Sequence, residues 1–437
     1  MALRRSLTTL TLVFVMYFNI SGGAFTMEGL VAGVGPGMAL LILLLVPLLW
    51  SLPETLIIGE LASMLPVEGG YYRWVQRAFG EFWAFQNGWI TWLYSLVDMA
   101  IYPVLFNQYL AFLVPDLSPG AQWAVSLAVI WGATAVNLRG ALPVGRVSTV
   151  AGIVVLAGFG GLALLALPNA AHVPWHPFLK EGEGVATGLS VGLSTALWNY
   201  IGWDNASTAG DEIKDSSRTY PRALAITLPL VALGYFVPLL PSLAATDWTT
   251  WREGGWSEIA MAAVPGVVGR VLAIWIAIAG LVSALALFNA LLLCYSRIVL
   301  VMAVDGFLPR ALTTTDARGT PRNAVLFSAL FYSVFALLRF GDLVIADVLL
   351  YAIALAMEFG ALLYLRRREP ELRGVFRIPL GNRGVTVLAF LPATVLGLVI
   401  ILAFRDGEYG VTAVLGSAVG IAAGPLLYWL AMRQRRS

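Results

Sequence analysis

The run Leu272–Leu293 extends for 22 residues without a charged side chain, and Met38–Trp50 is a second uncharged stretch. Such segments suit the hydrocarbon core of a bilayer, where the backbone must satisfy its own hydrogen bonds. Neither run alternates apolar with polar residues, so both read as helices and exclude a membrane barrel. The whole chain agrees, with 59% hydrophobic residues, 12% charged residues and a mean hydropathy of +0.82. A soluble domain carries about twice that charged fraction. The longest polar connections, residues 169–184 and 247–258, leave no room for a separate soluble domain. The net charge of +2 falls in short loops and points to no nucleic-acid partner. Met1-Ala2-Leu3-Arg4-Arg5 has the charge of a signal-peptide start, but no Ala-x-Ala site follows and cleavage is not expected.

Twelve apolar segments are expected, near residues 8–27, 38–61, 82–112, 120–137, 146–168, 187–210, 222–244, 267–303, 323–340, 343–365, 384–404 and 410–432. With a cytoplasmic N-terminus, 22 of the 27 basic residues lie inside and five outside: Lys180, Arg252, Arg270, Arg339 and Arg405. That asymmetry places both termini in the cytoplasm of a multi-pass cell-membrane protein and requires an even number of spans. Arg366-Arg367-Arg368 reads as the stop-transfer charge after the tenth segment.

Two segments carry interruptions. The first contains Asn19-Ile20-Ser21-Gly22-Gly23-Ala24-Phe25, small residues where a spanning helix is normally rich in Leu and Val. Taken alone, this is either a helix-packing face or an unwound segment lining a cavity. The sixth contains Leu197-Trp198-Asn199-Tyr200-Ile201-Gly202-Trp203-Asp204-Asn205, with an aspartate at membrane depth. A charge there costs at least about 2.5 kcal/mol and faces a cavity or a partner. Two breaks five spans apart imply inverted halves, residues 1–168 and 187–365, with residues 384–432 appended. That organisation belongs to secondary transporters working by alternating access.

Several motifs carry a family resemblance. Gly59-Glu60-Leu61-Ala62-Ser63-Met64-Leu65-Pro66 with Gly69-Gly70-Tyr71-Tyr72 and Phe79-Gly80 resembles the amino acid–polyamine–organocation superfamily. So does Gly202-Trp203-Asp204-Asn205 followed by Gly210-Asp211-Glu212-Ile213-Lys214-Asp215 and Arg218-Thr219-Tyr220-Pro221-Arg222. Ser21-Gly22-Gly23-Ala24-Phe25, Trp50-Ser51-Leu52-Pro53-Glu54 and Trp203-Asp204-Asn205 are similar to plant-type polyamine uptake permeases and their prokaryotic relatives. The resemblance covers about residues 10–370. It implies an all-α membrane fold of twelve helices, a LeuT-like 5+5 inverted repeat with helices one and six broken.

It also implies a pocket between helices one, three, six, eight and ten. Free amides of Ser21, Gly22 and Gly23 would hold a substrate carboxylate, and carbonyls near Asn199, Tyr200 and Ile201 its ammonium. A polyamine would instead need carboxylates and aromatic faces. Tyr94, Asp98 and Tyr102 are spaced by four and share a helix face, and Trp92 lies on the same segment. The sixth segment adds Trp198, Tyr200, Trp203 and Asp204, and the second adds Glu54. Asp204 either binds substrate or caps a restarted half-helix; Asp98 is either a ligand or a structural acceptor. Trp203 has the bulk for a gate. Glu358 and Asp347 are further candidates in the tenth segment. The substrate stays open between an amino acid and a polyamine.

Glu54, Asp98 and Asp204 are the carboxylates able to carry a coupling proton. Proton symport is the expectation, with sodium coupling through Ser283 and backbone carbonyls as the alternative. Some superfamily members place a lysine in helix five, but residues 146–168 contain none, and Arg146 substitutes only if it lies deep. With no soluble domain, this chain alone is not nucleotide-driven. No cofactor, metal or enzymatic activity is expected: His172 and His176 lie in an outer loop among prolines, with no ligand set around them. Cys294, the only cysteine, lies in an apolar run, so no disulfide-linked subunit is expected. An exchanger of substrate for product and a transporter-like sensor are the alternatives to net uptake.

Overall fold

Thr8 starts the first helix with a capping box, its side chain accepting from the Thr11 amide while the Thr11 hydroxyl accepts from the Thr8 amide. This helix, α1 (Thr9–Ile20), ends where Gly22 and Gly23 take φ of +66° and +119°, backbone that suits glycine. The chain turns helical again only at α2 (Met27–Val34), after Thr26 at φ +74°. The interruption is therefore an unwound stretch and not a packing face within a continuous helix. The structure, a computed structural model, describes residues 4–182, 184–336, 340–406 and 410–436. Arg339, expected on the outside, lies outside the described residues.

Every strong apolar segment of the sequence becomes a helix. The second consists of α3 (Pro36–Val46), a widened π turn at Pro47–Ser51, and α4 (Leu52–Met64). Pro47 has no amide hydrogen to give to the regular ladder, and the wide turn rotates α4 relative to α3. Next come α5 (Gly70–Phe79), α6 (Glu81–Leu113), α7 (Pro119–Asn137) and α8 (Ala141–Ala166). The second half holds α9 (Val185–Trp198), α10 (Ser216–Ala245), α11 (Trp256–Ala263), α12 (Gly266–Val304) and α13 (Arg322–Phe335). It closes with α14 (Phe340–Arg368), α15 (Asn382–Asp406) and α16 (Gly410–Arg436). Among the described residues, eight helical stretches are long and apolar enough to cross a membrane.

The sixth segment is interrupted within the run Leu197–Asn205 that the sequence marks. The helix does not run to residue 210: α9 stops at Trp198, and only two 3-10 turns, Asn205–Thr208 and Gly210–Glu212, precede α10. Gly202 at φ +100° makes that break. Three short helices, α2 beyond its first residue, α5 and α11, occupy stretches outside the twelve apolar segments.

Helix α12 is the central member, packed along α6, α8, α11, α7, α13 and α1. Within its most apolar window 61% of residues are buried, against 28% for α15 and 11% for α16, which therefore lie at the periphery. Arginine side chains tie helix ends together. Arg366 reaches both oxygens of Glu60, at 2.6 and 2.5 Å, and the carbonyls of Ile378 and Leu380. It is thus a buried clamp, while Arg367 and Arg368 alone keep the exposed position expected of stop-transfer charge. Arg297, fully buried, holds Glu212 at 2.6 Å, and the Glu212 carbonyl accepts from the amides of Ser6 and Leu7.

The two breaks meet at Gly202. A Cβ there would sit 2.4 Å from the carbonyl oxygen of Asn19, in addition to the strained backbone it would impose. Gly202→Ala is expected to lower stability by at least about 2 kcal/mol, read as a drop in melting temperature in detergent and in folded yield.

Candidate functional site

The first break is stitched internally. The amides of Ser21 and Gly22 both donate to the Tyr17 carbonyl, at 2.9 and 3.1 Å, and the Gly23 amide donates to Ser21 Oγ at 3.2 Å. The free amides expected at Ser21, Gly22 and Gly23 are therefore occupied. The Gly22 carbonyl accepts from Ser283 Oγ of α12 at 2.6 Å, so this hydroxyl supports the break directly.

Carbonyls of the second break are also engaged. Asn199 O accepts from Tyr235 of α10 at 2.5 Å, and Tyr200 O accepts from Trp203 Nε1 at 2.7 Å and Ser51 Oγ at 3.4 Å. The Asn199 side chain exchanges hydrogen bonds with Thr26, joining the two breaks. Ile201 is buried beside them. Trp203 is fully buried, its carbonyl held by Tyr220 at 2.8 Å, so in this conformation it is packed into the core.

Two carboxylate clusters flank these breaks. In the first, Asp98 accepts from Tyr102 at 2.5 Å and from Tyr295 of α12 at 2.8 Å. The Tyr102 ring stacks on Trp198, with centroids 6.2 Å apart. Asp347 of α14 is buried with both oxygens unpartnered, and Asp98 is the charged group acting on it. In the second, the Tyr351 hydroxyl of α14 lies between Glu54 Oε1 and Asp204 Oδ1, the latter at 2.5 Å, and accepts from the Gly202 amide at 2.9 Å. Glu358 completes this cluster, its side chain interacting with Asn87 and Asp204. Tyr94 bridges the clusters, its ring against Tyr295 at 5.7 Å and Tyr351 at 5.6 Å, and its hydroxyl 3.3 Å from Asn205 Oδ1.

The sequence-derived residues thus converge, with two adjustments. Asp204 makes no side-chain cap hydrogen bond to the 3-10 turn after it and points to Tyr351. Trp92 stacks on Phe327 of α13, away from the carboxylates. Arg146 is exposed and takes no lysine-like place in α8. His172 and His176 are exposed, and Cys294 is buried with Asn19 donating to its sulfur at 3.3 Å. Sequence reasoning missed Tyr351 and Tyr295; a tyrosine one turn from Asp347 and a tyrosine following Cys294 carry no signal until the helices are packed.

Comparison with known proteins gives the chain's family. The amino acid permease family model matches residues 7–431. The polyamine transporter RMV1 of Arabidopsis thaliana is 34% identical over 97% of this chain and 85% of its own. The polyamine transporter PUT1 of Oryza sativa subsp. japonica is 33% identical over 97% and 78%. The branched-chain amino acid permease BcaP of Lactococcus lactis subsp. cremoris is 26% identical over 70% of each chain.

Ser283→Ala is expected to strand the buried Gly22 carbonyl, costing about 1–3 kcal/mol of stability in a detergent melt. Exchange of sodium for choline in the same melt is expected to change nothing.

Proposed function

The chain belongs to the amino acid permease family, and from that premise we propose that it is a secondary transporter of a cationic amine, a polyamine ahead of an amino acid. One observation carries the preference. Among the described residues Glu54, Asp98, Asp204, Asp347 and Glu358 are all buried, and none is in an ion pair. Buried carboxylates without cations are costly unless something positive or a proton joins them. The amides of Ser21, Gly22 and Gly23 are already bonded within the break, so these three are not offered to a substrate carboxylate. The names of the polyamine-transporting relatives point the same way.

In this reading Asp98, with Tyr102, Tyr295 and Trp198 around it, takes a substrate ammonium, and Tyr94 provides an aromatic face. Trp203 shuts the site in the conformation described. The fold is twelve spans: the eight long stretches, α7, α13, the α1–α2 pair, and α9 with the 3-10 turns beyond it. Residues 1–168 and 187–365 form inverted halves that alternate access, and residues 384–432 are appended. Both termini face the cytoplasm across the cell membrane, by the distribution of arginine. A proton is the coupling ion, because the uncompensated acids supply places for it and Ser283 is already committed to Gly22.

The test is uptake into proteoliposomes of labelled putrescine, spermidine, arginine and alanine, with and without an inward proton gradient. Gradient-driven uptake of putrescine or spermidine is expected. Asp98→Asn is expected to weaken apparent affinity at least about tenfold, equivalent to losing about 1.5 kcal/mol. Uptake of alanine alone, unchanged in Asp98→Asn, would overturn the reading.

A further inference from the structure

The second carboxylate cluster can be read by counting hydrogens. A phenol has one O–H to donate and two lone pairs with which to accept. The Tyr351 oxygen lies within hydrogen-bond distance of three groups: the Gly202 amide, Glu54 Oε1 and Asp204 Oδ1. The amide donates into one lone pair. The single phenolic hydrogen serves one of the two carboxyls. The remaining contact joins two oxygens and is repulsive unless the carboxyl itself supplies a hydrogen. One proton must therefore reside on the Glu54–Asp204 pair.

Glu358 requires a second. Its side chain is fully buried and both oxygens are unpartnered. Its polar neighbours are Asp204 and Asn87, whose amide nitrogen gives one hydrogen to the Ala354 carbonyl at 3.3 Å and has a second for Glu358. An ionised Glu358 would have at most the second hydrogen of the Asn87 amide to accept and would repel an ionised Asp204 beside it, a buried like-charge pair that one proton relieves. A protonated Glu358 has a hydrogen to give to either neighbour. The other titratable side chains facing the cluster are Tyr71 of α5, Tyr94 of α6, Tyr220 of α10 and Cys294 of α12. None of these is a cation, and among the described residues no lysine or arginine pairs with the three acids.

We propose that Glu54, Asp204 and Glu358 share two protons around Tyr351 and form the proton store of this permease, separate from the ammonium site at Asp98. This rests on the transporter reading above and adds to it the coupling machinery and its stoichiometric limit. Transfer along the cluster is balanced. Starting with Asp204 and Glu358 protonated and Glu54 ionised, Asp204 passes its proton to the Tyr351 oxygen as the Tyr351 hydrogen moves to Glu54, and Glu358 then gives its proton to the Asp204 carboxylate so vacated. Only O–H bonds form and break, and the cluster keeps one net negative charge throughout. Asp204 and Gly202 belong to the second break, so the break and the protons move together: shifting Gly202 withdraws its amide from Tyr351. A change of charge at Asp204 is then felt by the unwound backbone, and the reverse.

Two measurements test this in the full-length protein. Infrared spectra of substrate-free protein at neutral pH are expected to contain the C=O stretch of protonated carboxyls, diminished in both Glu358→Gln and Glu54→Gln. An unchanged band in Glu358→Gln would mean that this acid is ionised and would overturn the proposal, whatever the substrate. In proteoliposomes Glu358→Gln is expected to lose gradient-driven accumulation while exchange across the membrane persists without pH dependence. Tyr351→Phe, which removes the shared hydroxyl and keeps the ring, is expected to slow accumulation at least tenfold. Wild-type accumulation in Glu358→Gln with a weakened putrescine affinity would instead make the cluster a second ammonium site. Failure of the wild type to move any amine would refute the proposed function, and the infrared result would still decide the proton store.

Discussion

Two stretches of unwound backbone sit inside an apolar bundle, and their amides and carbonyls need partners that lipid cannot supply. Much of the arrangement of this chain answers that need. The backbone carbonyl of Tyr17 and the hydroxyls of Ser283, Tyr235, Tyr220 and Tyr351 are directed at the breaks, and Asn199 with Thr26 joins one break to the other. Tyrosine suits the task because its ring packs as core while its hydroxyl reaches a carbonyl or amide. The breaks are held so tightly that Gly202 has no space for a methyl group against Asn19. Close approach, more than flexibility, is why glycine stands there.

The acids divide into two populations. Glu60, Glu212 and Asp305 each meet an arginine, and these pairs fasten helix ends and loops. The acids around the breaks meet tyrosines, an asparagine or one another. A tyrosine can stabilise a carboxylate by hydrogen bonding without neutralising it, so negative potential is left in the middle of the bundle. Arginine at the same positions would have neutralised the acids and left nothing to attract a cation. The distribution of partners, and not the number of acids, is what distinguishes a scaffold from a site here.

Much of this was legible in the chain itself. The apolar runs are long enough to specify helices without knowledge of their neighbours, and small residues at Gly22, Gly23 and Gly202 mark the breaks because helices seldom tolerate them clustered. Asp98 with Tyr102 was readable from i,i+4 spacing. What escaped is what depends on packing between distant segments. The amides of Ser21, Gly22 and Gly23 looked free because a sequence does not reveal that the backbone folds back onto Tyr17. The role of Arg366 was hidden for a similar reason: its acid, Glu60, is 306 residues away.

Helix α14 links the two acidic clusters. Asp347, Tyr351 and Glu358 lie on one face of it: four residues advance the helix by about 40° beyond a turn, and eleven by about 20° beyond three turns, over about 16 Å. One end of that face meets the surroundings of Asp98, and the middle and far end meet Glu54 and Asp204. The opposing surface is shared between α6, which bears Tyr94 and Asp98, and the second break, which bears Gly202 and Asp204. A displacement of the break relative to α14 therefore alters the Tyr351 contacts directly, whereas the Asp98 cluster, anchored by Tyr102 on its own helix and Tyr295 on α12, has a separate support. Two charged sites with separate supports and one shared helix are what coupling physically requires: each can be occupied on its own, and neither can change its surroundings without straining the element that carries both.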